Sequence, residues 1–246
     1  MEYEELEKKL IFHIINNDTN YLNTIENNKD VIQNYFSNEK LGYIIRFVSK
    51  LNNIIIDEIK DYSLVENLLY HKLFTSVFEY FKHSTILIDA IKKENKNAVS
   101  WLLKMNINKY IQDEKGMTAL MHAAQHSLFD TVKTQLENDN NLLNIRDNEG
   151  NTVLFYSLDT VFFYLCQNVS DLDFNQKNYL DEDMLIFSCK FKKFVFFEKI
   201  LAKTKDFMHE SKEGKTAAMY LVEQGQYTEL KLLLIKIRET YQNNDY

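Results

Sequence analysis

Apolar residues recur along this chain at spacings of three and four, separated by short polar breaks. Leu6, Leu10, Ile14 and Ile15 form one stripe. Tyr21, Leu22 and Ile25 form another after Asn16-Asn17-Asp18, and Leu41, Ile44, Ile45 and Val48 a third. Ile55, Ile56 and Ile59 follow, then Val65, Leu68, Leu69, Leu73, Val77 and Phe81. Residues so spaced share one face of a helix, so each stripe predicts a helix that buries one side. Further on, the stripes pair. Leu120 is followed 12 and 16 residues later by Val132 and Leu136, Leu87 by Val99 and Leu103, Leu185 by Phe197 and Leu201, and Ala218 by Leu230 and Leu234. Val65 with Val77 and Phe81 carries the same offsets. The two later residues lie four apart on a second helix, which predicts an all-α chain of helix pairs.

A short phrase precedes several pairs. It reads Asp113-Glu114-Lys115-Gly116-Met117-Thr118-Ala119-Leu120, then Asp147-Asn148-Glu149-Gly150-Asn151-Thr152-Val153-Leu154, then Ser211-Lys212-Glu213-Gly214-Lys215-Thr216-Ala217-Ala218. Its glycines are 34 and 64 residues apart, and the chain has only five. Gly supplies a turn's φ > 0 without steric cost, and a Thr two residues later is suited to cap a helix, so the phrase predicts turn, cap, helix. Degenerate copies begin near Thr85 and at Asp181, which stands where Gly is expected, with Asp183 in the Thr slot. Units then start near His83, Gly116, Gly150, Asp181 and Gly214. A period of this length marks a stacked-repeat protein.

The phrase and period resemble the ankyrin repeat, a β-turn followed by two antiparallel helices. Asp113, Gly116, Thr118, Leu120, Ala123, Ala124, Val132, Leu136, Asn144 and Asp147 match that family's pattern in the best copy. Gly225 matches the glycine between the helices, a slot that Ser127 fills in the best copy, and Asn106 matches the glycine that ends the second helix. The chain has no proline, so the family's Thr-Pro start is absent, and Met121 replaces a His that would bond neighbouring backbone. The resemblance implies an ankyrin-like α-solenoid over residues 83–238. Residues 1–82 read either as eroded helix pairs continuous with it or as a separate helical cap. Residues 239–246 read as a polar tail. The copy at Gly150 is short, and a longer loop is expected near Ser170–Tyr179.

Composition narrows the function classes. Net charge is −7, a sign that disfavours phosphate backbones and anionic membranes. No apolar run approaches the ~20 residues of a membrane-spanning helix, and the acidic start lacks the order of a signal peptide, so a cytoplasmic protein without membrane insertion is expected. Two cysteines fit a reducing compartment, and Cys189, aligned with Ala124, is expected to be a small buried side chain.

Catalytic patterns are thin, and neither enzymatic activity nor a cofactor is expected. The glycines form no phosphate cradle. His122 and His126 stand four apart with Asp130 beyond, but no third metal ligand is evident, so no metal is assigned. His209-Glu210-Ser211 falls in a turn. Lys190, Lys192, Lys193, Lys199, Lys203 and Lys205 interleave with Phe191, Phe194, Phe196 and Phe197. Phe197 and Leu201 hold core slots, so the lysines read as a solvated face rather than a nucleic-acid surface.

The resemblance implies recognition of another protein through turn tips and the concave face of the first helices. By register the tips offer Lys115, Met117, Glu149, Asn151, Glu182, Glu213 and Lys215. The slot four residues after each Thr position gives Asp89, His122, Tyr156, Phe187 and Tyr220. Two readings of that row stand: an aromatic stripe that grips a partner, or rings that pack between repeats. A non-enzymatic scaffold or adaptor is the leading reading. A targeting or regulatory subunit that recruits a separate enzyme, or a host-directed effector, is the alternative.

Overall fold

The computed structural model describes residues 2–37, 40–137, 139–157, 160–169 and 172–242. Among these it contains sixteen α-helices and no strand beyond one isolated bridge between Gln112 and Thr118. The chain divides into two compact units, Met1–Ile111 and Gln112–Tyr246.

The first unit holds α1 (Tyr3–Ile15), α2 (Tyr21–Glu26), α3 (Lys29–Tyr35), α4 (Leu41–Asp57), α5 (Ser63–Leu69), α6 (Thr75–Lys82), α7 (Ile86–Lys92) and α8 (Lys96–Lys104). α4 packs against α1, α6 and α7, and α7 against α8. The apolar stripes face inward: Leu6, Leu10, Ile14, Ile44, Val48, Ile55, Val65, Val77 and Phe81 are buried. Ile15, Leu22, Leu41 and Ile45, counted in the same stripes, are exposed, because each sits about one residue's rotation off the buried face. Glu7 is buried too. It accepts a hydrogen bond from the Tyr3 hydroxyl (3.0 Å) and forms ion pairs with Arg46 (3.3 Å) and Lys50, which ties α1 to α4.

The second unit holds α9 (Ala119–Gln125), α10 (Phe129–Leu136), α11 (Val153–Tyr156), α12 (Thr160–Asn168), α13 (Met184–Lys190), α14 (Phe197–Lys203), α15 (Ala217–Glu223) and α16 (Tyr227–Gln242). The first helices of successive pairs stack in series, α9 on α11, α11 on α13 and α13 on α15. Leu185, Phe197, Leu201 and Cys189 are buried together in the core that α13 to α16 enclose. α11 has only four residues, which agrees with the short copy at Gly150. Ser170 and Asp171, where the longer loop was expected to begin, lie outside the described residues. α16 runs to Gln242, past the expected end at Arg238, so Thr240 and Tyr241 are helical rather than part of a tail. The tail's last four residues are also outside the described set.

Left-handed bends between paired helices recur in register at Glu94 (φ 54°), Ser127 (53°), Lys192 (56°) and Gly225 (67°). Three of these are not glycine, a conformation that costs roughly 1 kcal/mol or more for an L-residue. Main-chain bonds over-determine each bend. The next residue's N–H reaches back to a carbonyl five earlier: Asn95 to Ala90 (3.0 Å), Leu128 to Ala123 (2.8 Å), Lys193 to Ser188 (2.9 Å) and Gln226 to Leu221 (2.8 Å). This pattern satisfies the carbonyls left free at a helix end.

Candidate functional site

The second unit builds the same tip four times. Asp113 N–H donates to the Met117 carbonyl (3.0 Å), and Gly116 N–H to the Asp113 carbonyl (2.8 Å). Asp147 with Asn151 and Gly150, Asn178 with Glu182 and Asp181, and Ser211 with Lys215 and Gly214 repeat both bonds. The anchor's side chain also accepts main-chain N–H groups: Asp113 Oδ1 from Lys115 and Met117 (both 3.0 Å), Asp147 Oδ1 from Glu149 (2.9 Å) and Asn151 (2.8 Å). Asn178 Oδ1 does the same for Leu180 (2.9 Å) and Glu182 (3.0 Å). Gly116, Gly150 and Gly214 have φ of 74°, 80° and 69°, and Asp181 sits at 56° in the same slot.

Each tip is bonded to the next. Asn148 N–H donates to the Lys115 carbonyl (3.0 Å), Tyr179 N–H to Glu149 (2.8 Å) and Lys212 N–H to Leu180 (2.8 Å). Side chains just before the anchors reinforce this row. Gln112 Nε2 donates to the Arg146 carbonyl (2.7 Å), and Arg146 Nη1 to the Lys177 carbonyl (2.6 Å). Neither residue was singled out from sequence. The available signal was a long polar side chain one position before each of the first three anchors: Gln112, Arg146 and Lys177.

Behind the tips, caps form where the register places them, with exceptions. Thr118 accepts from Met121 N–H and Thr216 from Met219 N–H (both 3.3 Å), and Asp183 from Ile186 N–H (2.9 Å). Thr152 and Thr85 make no side-chain cap. Thr85 instead donates its hydroxyl to Asp89 (2.8 Å). Met121 does not leave the Thr118 N–H without a partner: its sulfur accepts that proton at 3.4 Å.

In the slot four residues after the cap, His122, Tyr156 and Tyr220 bond a tip residue of their own repeat, and Phe187 packs on the preceding one. His122 Nε2 lies 2.9 Å from Asp113 Oδ2. The Tyr156 hydroxyl donates to Asp147 Oδ2, and that of Tyr220 to Glu213 Oε2 (2.9 Å). Burial, then the bond to a carboxylate, pushes the Tyr156 hydroxyl pKa above the ordinary phenol value. Phe187 cannot make such a bond. It packs edge-on to Phe155 (ring centroids 5.0 Å apart) and lies under the Lys193 ammonium at 5.3 Å.

The fourth repeat uses a lysine instead. Lys190 Nζ donates to buried Glu182 (2.6 Å) and to Glu213 of the next tip (2.9 Å). Burial opposes the Lys190 charge, but these two carboxylates outweigh it and hold the pKa above the usual lysine value. Glu213 sits below the ordinary carboxylate value, first through its bond from Lys190 and then through that from Tyr220.

Of the expected tip residues, Lys115 and Glu149 are exposed and Lys215 is half-buried. Met117 and Asn151 are buried, because both sit on the turn's inner side, where their N–H groups meet the anchor aspartate. In the first-helix row, His122 and Tyr220 are buried, while Tyr156 and Phe187 are half-buried. Among the described residues, no group of three or more His, Cys, Asp or Glu could hold a metal ion. No described helix is long and apolar enough to cross a membrane.

The turn and helix that the phrase predicts recur here, and the structure adds left-handed bends to second helices and bonds from tip to tip. A family model described as Ankyrin repeats (3 copies) matches residues 55–147 and 87–178. Together these cover residues 55–178, half of the 246-residue chain. The chain belongs to the ankyrin-repeat family. A search of curated proteins finds no match. The matched ankyrin segment begins in α4, well before His83. Beyond residue 178, the turns at Asn178 and Ser211 continue the ankyrin register. Ankyrin repeats are protein–protein interaction modules, and their fold is typically not catalytic.

Proposed function

We propose that this protein is a non-enzymatic scaffold or adaptor that binds a protein partner along its bonded row of tips and the half-buried side chains behind them. The tip-to-tip ladder from Lys115 to Lys212 carries this reading. It fixes Lys115, Glu149 and Lys215 in space before a partner arrives, so little ordering entropy is lost on contact. Tyr156 and Phe187 add partly exposed aromatic surface, the kind enriched among binding hot spots. His122 and Tyr220, buried and bonded to tip acids, serve the reading indirectly by holding those tips.

The charge-reversed variant Lys115→Glu/Glu149→Lys/Lys215→Glu leaves the anchors and caps intact. Affinity capture with the wild-type chain and with this variant is the test. A protein retained by the wild type and lost from the variant, at equal melting temperature, supports the reading. Equal retention by both sinks the tip surface. A captured enzyme whose activity toward its own substrate depends on the chain would favour a targeting subunit.

A further inference from the structure

One apolar slot closes every joint between successive first helices in the second unit. Met121, Phe155 and Ile186 fill it in turn and are at most 1% exposed. In the last repeat the same slot holds Met219, which is 47% exposed. Two neighbouring slots behave alike: Cys189 is fully buried and Leu201 nearly so, whereas Val222 and Leu234, each 33 residues later, are 54% and 52% exposed. The backbone ladder stops in the same register. The carbonyls of Lys115, Glu149 and Leu180 each receive an N–H from the next tip, but among the described residues no main-chain N–H reaches that of Glu213. Gly214 likewise has open space where Gly116 and Gly150 meet a following tip.

The α15–α16 face therefore repeats the chemistry of a joint, and among the described residues nothing is seated on it. Beside it along α16, Tyr227, Leu230, Leu234 and Ile235 line a shallow groove of about 350 Å³ together with Lys231 and Arg238. Those two cations decide the kind of occupant. A two-fold pairing of α16 with a second copy, centred between Leu234 and Ile235, sets Lys231 against Arg238 and opposes like charges.

We infer that this end face docks a helical hairpin of a different protein, continuing the stack. The hairpin carries an apolar stripe for Met219, Val222 and Leu234, carboxylates for Lys231 and Arg238, and a turn N–H for the Glu213 carbonyl. Acidic flanks make the contact salt-dependent. This surface shares no residue with the tip charges tested above, so each reading can fail alone.

The probes are two synthetic two-helix hairpins with an Asp-x-x-Gly turn and the same apolar stripe, one flanked by glutamates and the other by lysines. Both are titrated into the full chain. The glutamate hairpin is expected to bind at least tenfold tighter. Met219→Asp/Leu234→Asp, at exposed positions, should abolish binding at an unchanged melting temperature. Lys231→Glu/Arg238→Glu should reverse the preference. Equal binding of both probes, binding that survives Met219→Asp/Leu234→Asp, or no binding overturns the inference. So does a dimer in sedimentation that Met219→Asp dissolves, since a second copy would then be the occupant.

Discussion

His122 Nε2 lies 2.9 Å from Oδ2 of Asp113, nine residues earlier, while Oδ1 of the same carboxylate takes the N–H groups of Lys115 and Met117. One side chain thus closes a turn and ties it to the helix that follows. Asp113→Ala should cost about 2 kcal/mol, the scale of hydrogen bonds to a charged group. Urea unfolding followed by circular dichroism reads this. A cost near zero would mean that the backbone bonds alone hold the tip.

Two glycines with similar left-handed φ should respond differently to a methyl group. At Gly214 a Cβ meets nothing within 4 Å, so Gly214→Ala should cost only the left-handed penalty, roughly 1–2 kcal/mol. At Gly116 a Cβ would stand 2.6 Å from Asn148 Oδ1 and 2.7 Å from Asn148 N, so the next tip's backbone must move as well. Gly116→Ala should therefore destabilise clearly more. Equal losses in the same unfolding assay would refute the close approach.

Cap chemistry separates Thr118 from Thr152, although the two look alike in sequence. Thr118 accepts the Met121 N–H, so Thr118→Ser should be tolerated and Thr118→Ala should cost about 1 kcal/mol. A neutral Thr118→Ala would show that the Met121 contact does not stabilise the helix start.

Glu213 is held below the ordinary carboxylate value by Lys190 and Tyr220. A depressed pKa in the folded state contributes stability above the unfolded value. That contribution fades as pH falls through the folded value, so it is lost on the acid side. Carboxyl-carbon NMR titration should show the Glu213 midpoint rise in Lys190→Met. An unmoved midpoint would remove Lys190 as the cause.

Burial pushes the Cys189 thiol up to about 12, so almost none of it is thiolate at neutral pH. Cys166, a free thiol at a partly exposed position, is also raised by burial. Iodoacetamide should alkylate Cys166 first and reach Cys189 only on unfolding. Mass spectrometry of the time course checks the order.

The helix pairs were legible because buried stripes and the Gly-x-Thr phrase are local patterns, and both survive at Leu120, Val132 and Leu136. Burial at the tips was harder to read. Met117 and Asn151 look like exposed turn residues, and only the fold shows their N–H groups turned in toward Asp113 and Asp147. The row of His122, Tyr156 and Tyr220 was visible as a register, but its hydroxyl and imidazole bonds depend on side-chain direction. Lys190 reads in sequence as part of a solvated basic face, yet at the end of α13 it pairs with buried Glu182, which precedes the cap at the other end of that helix.

The amides of Asn148, Tyr179 and Lys212 bond carbonyls 33, 30 and 32 positions before them. No helix encloses these bonds, so unwinding a single helix leaves them intact, and only parting of two neighbouring modules frees them to exchange with solvent. Three protons thereby act as a built-in gauge of cohesion, one per junction, and deuterium uptake at each would reveal where the array opens first.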